Sequence, residues 1–442
     1  MSRPQSFPSS TSYQTVVRAL LRMHKFTLAG QDESAEAESL RESMNAPWEG
    51  LSKIERERVT GLSRDLYEIS DNPTQTPLPM NPQAQGKLNE AYEAREQGEW
   101  DRALGLLRRW QKYIAVPLIS YLRGTIWRAA GDAATAAVFF EHASQLEPDN
   151  EFFQAVLLDA LKTADPRDAA TRAEVVLQNS EARGPVVVLY ATDIIFGTAR
   201  EMSDLEAAAI YRRLIPIMER TLARLETQRQ VDLDYAVPKG LGLAVLATCY
   251  REIGDTQRAD GYYSRAIQLD PTNDVLLTAR GMLMYGTDPN ATADFEQAIQ
   301  SGTQFVWPYF YLAYHYLANN RFEDCRSMCE RALQCPASKR VRSELYEFLA
   351  ISLSHIGYPE PVIRRTFENS IRVDPSNDRA CRNLQRFETA VTSRAPQPKD
   401  WESRSESSLR AFAQEGNVWP EDASKKEIVV THSSSFFPCA LA

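Results

Sequence analysis

Cysteine and histidine are scarce in this chain, six and five in 442 residues. Cysteines spread that thinly do not make a dense disulfide framework, so a reducing, cytoplasmic setting is expected. The histidines, His24, His142, His315, His355 and His432, are scattered. The sequence contains no His-Glu-x-x-His, no Gly-x-Ser-x-Gly and no glycine-rich phosphate loop. No metal, cofactor or catalytic group is therefore expected, and the chain reads as a non-enzyme. Long apolar runs are missing as well. The longest, "PVVVLYATDIIFG" at 185–197, is interrupted by Asp193 and is too short to cross a bilayer. The opening "MSRPQSFPSS" lacks the apolar core of a secretory signal. An excess of basic charge is also lacking. The net charge of −9 speaks against nucleic acid as a partner.

What the chain does have is a repeated spacing. "GDTQRADGYYSRAIQLDP" at 254–271 is nearly repeated by "GDAATAAVFFEHASQLEP" at 131–148. Ala259, Tyr263 and Ala266 are four and three apart, so they share one helical face. Small residues at 259 and 266 let a neighbouring helix come close, and Tyr263 fills the space beside them. Gly254 suits the left-handed end of one helix, Asp255 the N-cap of the next, and Pro271 cannot continue it. Together with Leu243, Leu246, Ala247 and Tyr250, these residues make a 34-residue helix–turn–helix. The unit resembles the tetratricopeptide repeat (TPR). Six units fit the register, two over 84–151 and four over 240–377. The unit from Ser343 fits only if the turn "GYPEP" holds one extra residue.

The expected fold is all-α: a TPR-type α-solenoid with an N-terminal helical module and a disordered C-terminal tail. Residues 1–12 read as disordered, 13–70 as the helical module and 71–83 as a proline-rich linker. In the module, Ser52 and Glu55 have the spacing of a capping box. The two units of 84–151 follow. Residues 152–239 read as degenerate helical repeats, with Pro216 expected to kink or interrupt the last helix. Four units occupy 240–377, a capping helix 378–393 and a mostly disordered tail 394–442, with a brief helix expected around Trp401 to Ala413.

The resemblance implies that the first helix of each pair lines a concave groove that holds a peptide or a partner helix. In the unit from Val306 it places Trp307, Phe310, Tyr311, Tyr314, Leu317 and Ala318 on that face. Arg280, Leu283 and Met284 join from one neighbouring unit, Phe348 and Ile351 from the other. Internal packing of the same aromatics is the competing reading. A ligand here would carry apolar anchors and an acidic group for Arg280. The chaperone-binding carboxylate clamp is not seen, because its positions carry Leu88 and Tyr92, and Ala244 and Thr248. Cys325 and Cys329 could touch one metal across a helical turn, but they occupy core positions of their repeat and read as small hydrophobes. The final Cys439-Ala-Leu-Ala has the form of a prenylation signal, the one route by which a membrane would enter. The expected function is a non-catalytic scaffold for a protein or peptide partner. The alternatives are a self-associating structural protein, or an enzyme subunit with a site in the irregular region 152–239.

Overall fold

The computed structural model describes residues 7, 10–71, 76–227, 236–393 and 401–402. The expected tail and Cys439 therefore lie outside the described residues, apart from Trp401 and Glu402. Among the described residues every regular element is a helix. The chain divides into two compact units, Met1–Pro238 and Lys239–Ser433.

The first unit opens with α1 (Thr11–Leu28), α2 (Ala35–Ser43), α3 (Asn45–Glu49) and α4 (Lys53–Asp71). Order begins earlier than the sequence suggests. Ser10 caps α1 by accepting from the Tyr13 N–H at 3.1 Å. Phe7 is buried against Trp127, with its amide donating to the Ala130 carbonyl at 3.1 Å. The capping box at Ser52 forms: Glu55 accepts from the Ser52 amide at 2.9 Å and Ser52 Oγ accepts from the Glu55 amide at 3.3 Å. The second oxygen of Glu55 accepts from the Ser10 amide at 2.9 Å, which ties the starts of α1 and α4 together. The Ser10 backbone bond, ahead of those from Ser52, holds this carboxyl down at about 2.

Helix pairs follow: α5 (Pro82–Glu96) with α6 (Trp100–Trp110), α7 (Val116–Ala129) with α8 (Ala133–Leu146), α9 (Glu151–Ala164) with α10 (Pro166–Gln178), and α11 (Pro185–Ala199) with α12 (Asp204–Thr227). The first helices of two consecutive pairs, α9 and α11, also touch. Residues 152–227 thus continue the pairing, and α12 runs through Pro216 without interruption. The N-terminal helices are stapled to these pairs by charge. Buried Asp65 on α4 accepts from Arg108 Nε and Nη2, both at 2.9 Å, and pairs with Arg123 at 3.0 Å. Arg58 grips Asp101 at 2.8 and 2.7 Å while lying over the Phe7 ring.

The second unit holds α13 (Ala236–Glu252), whose first turn spans the boundary, then α14 (Thr256–Leu269), α15 (Asp274–Met284), α16 (Ala291–Gln300), α17 (Val306–Ala318), α18 (Phe322–Ala332), α19 (Lys339–Ile356), α20 (Glu360–Val373) and α21 (Asp378–Ser393). The repeat punctuation works as its chemistry dictates. Gly131 and Gly254 have positive φ, and each is followed by an aspartate whose carboxylate accepts from the third residue of the next helix. Asn320 takes the glycine's place before α18. After Gly357, two residues (Tyr358 and Pro359) rather than one precede α20, which is the extra residue that "GYPEP" required.

Small and aromatic residues meet where the spacing placed them. A Cβ on Gly124 would stand 2.5 Å from the Phe140 ring, and one on Gly281 would stand 2.7 Å from Phe295. Tyr263 is buried in the equivalent place, its hydroxyl 3.0 Å from Thr248 Oγ1. Gly124→Val is expected to destabilise by roughly 1–3 kcal/mol through overpacking. Gly86→Ala, on an exposed helical site with nothing near, is expected to stabilise by about 1 kcal/mol. Thermal denaturation of both variants checks the opposite signs.

Two histidines are folded into the first unit as neutral rings. His142 Nδ1 lies 2.8 Å from Ser120 Oγ, and His24 Nδ1 lies 3.0 Å from Ser70 Oγ. Burial, with smaller contributions from His24 and Arg123, pushes His142 down to about 4, and burial also lowers His24. Between about 4 and 6.5 the unfolded chain therefore binds more protons than the folded one, so stability falls as pH falls through that window. His142→Gln is expected to flatten much of this slope, read as thermal midpoint against pH.

Candidate interaction surface

Helix α17, "VWPYFYLAYHYLA", is apolar or aromatic on every side. A helix of that kind is buried all round rather than half-exposed. Trp307, Phe310, Tyr311 and Tyr314, with Phe348 and Ile351 of α19, are all between 0 and 6% exposed. Phe295 stacks on Tyr311 at 5.1 Å, and Tyr285 meets the same ring edge-on at 5.0 Å. Phe310 lies 5.4 Å from Phe348, and Trp307 turns its plane against Phe310 at 5.7 Å. These six side chains therefore do not form an exposed aromatic patch in this structure. The five rings lie with Tyr285 and Phe295 in one core, and Ile351 lies in the apolar cluster beside it with Phe367 and Phe387, which corrects the expectation of an open face at these positions.

Arg280, Leu283 and Met284 on α15 are half-buried, and Met284 packs against this core. Arg280 is already engaged. Its Nε and Nη2 donate to the two carboxylate oxygens of Asp294 at 2.8 and 2.6 Å, and Nη1 donates to Ser264 Oγ at 3.0 Å. The Asp294 bond is the main reason its pKa is raised. An acidic ligand would have to displace Asp294, so Arg280 is not the ready anion partner expected. Cys325 and Cys329 are buried with their sulfurs 4.0 Å apart, and burial pushes the Cys329 thiol well above its ordinary value. Such a thiol packs as a small apolar group.

The same unit holds a polar cluster that the repeat register does not predict. Glu344 and Glu347 sit on α19, three residues apart and both buried. Arg379 of α21 bridges them. Its Nη2 lies 3.2 Å from Glu344, and its Nε and Nη2 donate to Glu347 at 2.8 and 2.7 Å. Burial opposes the charge on Arg379, but the bonds to Glu347 outweigh it and raise the pKa. Asn383 and Asn377 donate to the remaining Glu347 lone pairs at 2.8 and 3.2 Å. The sequence signal is two acids at i, i+3 on α19, just before its apolar stretch, and Arg379 and Asn383 at i, i+4 on α21.

Breaking this pair from one side leaves a buried charge without compensation. Arg379→Ala is expected to lower stability by about 3–5 kcal/mol, and Arg379→Ala/Glu347→Gln by much less than the sum of the single changes. Urea unfolding of the single and double variants checks the non-additivity.

No protein-family model and no curated protein matches this chain. Among solved structures it is similar to a tetratricopeptide repeat protein from Parabacteroides merdae, at 14% identity over 65% of this chain and 99% of that one, with a TM-score of 0.35. It is similar to yeast Tom70 at 12% identity, over 70% and 73% of the two chains, with a TM-score of 0.29. It is also similar to the C-terminal part of a TPR repeat-containing protein from Cytophaga hutchinsonii, at 14% identity over 67% and 98%, with a TM-score of 0.31. The fold rests on the chain's own helix pairing and repeat register: it is an all-α array of TPR-like helix–turn–helix pairs.

Proposed function

We propose that this protein is a non-catalytic scaffold of the cytoplasm that mediates protein–protein interaction by holding a partner segment along the first helices of the second unit. One observation carries the reading. In that unit α15 packs on α17 and α17 on α19, so helices with the same role in successive pairs run side by side. Such a row presents a continuous surface to an extended or helical segment. Leu283 and Met284 supply apolar contact at its half-buried edge, and the aromatics of α17 with Phe348 and Ile351 hold that edge rigid from beneath. The thin cysteine content supports the cytoplasmic setting.

The test compares wild type with Leu283→Asp/Met284→Asp in affinity capture, followed by titration calorimetry on the purified partner. A partner bound by wild type and weakened at least tenfold, on the order of 1.4 kcal/mol, by the variant at unchanged helicity is the expected result. Retention of the same proteins at the same affinity by both would remove α15 from the binding surface.

A further inference from the structure

We propose that the end of the second unit is a peptide-reading site for an aromatic residue followed by an acidic one, occupied here by the chain's own Trp401 and Glu402. The proposal deepens the scaffold reading and rests on it, but it concerns α19–α21 and not α15. Three contacts build the site. Asn383 is fully buried, and its side-chain amide meets the Glu402 backbone at both ends. Nδ2 donates to the Glu402 carbonyl at 3.2 Å, and Oδ1 accepts from the Glu402 amide at 3.2 Å. The same Nδ2 donates to Glu347, so the buried ion-pair cluster sets the orientation of the clamp. A two-point grip on the backbone holds an extended chain whatever its sequence.

The side chains supply the discrimination. The Trp401 indole N–H donates to His355 Nε2 at 3.0 Å, and its ring lies 5.8 Å from Phe367, against the apolar cluster that includes Ile351 and Phe387. His355 is itself held by stacking on Phe322 at 3.9 Å. The slot thus takes a flat apolar ring with a donor on its rim. Beside it, Arg382 Nε donates to one Glu402 carboxylate oxygen at 2.8 Å and Arg386 Nη2 to the other at 3.2 Å. These arginines, four apart on α21, form a fork for a carboxylate. Backbone clamp, aromatic slot and arginine fork together specify a Trp-Glu pair in extended conformation. A partner presenting that pair competes with residues 401–402, which have the advantage of being tethered.

The experiment uses the full chain with the resident pair removed, Trp401→Ala/Glu402→Ala, and a fluorescein-labelled peptide of residues 398–405, PKDWESRS, in fluorescence anisotropy. The peptide is expected to bind the variant at least about tenfold more tightly than wild type, where the tethered pair holds the site. Adding Arg382→Ala/Arg386→Ala to the variant, at partly exposed positions, is expected to abolish that binding with helicity unchanged. Glu402→Lys alone vacates the fork without touching the slot and gives the same ordering if the double variant is unstable. A helical, vacated protein that does not bind the peptide overturns the proposal. So does wild type that binds it as tightly as the variant. Neither outcome bears on Leu283 and Met284, so failure here is distinguishable from failure of the scaffold reading.

Discussion

The close approach of two helices across a small residue and a ring is the constraint on which the rest depends. At Gly124 and Phe140, and again at Gly281 and Phe295, there is no room even for a methyl group. A glycine inside a helix weakens it by about 1 kcal/mol relative to alanine, so each such glycine is a local loss offset by tertiary packing. The ring is buried on the first helix of its own pair, and the pair becomes a rigid block. Blocks of this kind bury their remaining apolar faces only against neighbours, which is why the units stack in series. Glycine and aspartate at the turns then set the angle between the helices of a pair by satisfying the exposed backbone donors.

Buried charge also holds the terminal helices of each unit to the pairs. In the first unit Asp65, Arg108 and Arg123 lock α4 onto α6 and α7. In the second, Glu347, Arg379 and Asn383 lock α21 onto α19. Buried ion pairs of this sort contribute little net stability, because desolvation offsets most of the attraction. Their value is geometric. They allow one arrangement of two helices and make any other leave a charge uncompensated. At α21 this has a consequence for recognition, since Asn383 is aimed by the same glutamate that Arg379 neutralises.

The aromatic helix α17 shows why a groove position is harder to read than a core position. Repeat register predicts which side of a helix faces the groove, but not how far the neighbouring helices close over it. Phe295 of α16, Phe348 of α19 and Tyr285 of the turn after α15 enclose Tyr311 and Phe310. A sequence whose helix is apolar on both faces was already indicating enclosure. Arg280 tells the same story for charge. Its register places it at the groove edge, yet Asp294, fourteen residues away on α16, satisfies it first.

The sequence by itself determined the local units: the helix pairs, their caps at Ser52, Asp132 and Asp255, the left-handed turns at Gly131 and Gly254, and the extra residue before α20. These follow from spacing, φ preference and hydrogen-bonding capacity within a few residues, which a linear pattern carries in full. Only the tertiary structure decided which side chains are enclosed and which polar groups find partners. It closed α17 into a core, paired Arg280 with Asp294, assembled Glu347 with Arg379 and Asn383, and set Trp401 and Glu402 on α21. Those outcomes depend on contacts between residues tens of positions apart, whose distances are set by how whole helices pack rather than by what lies beside them in the chain.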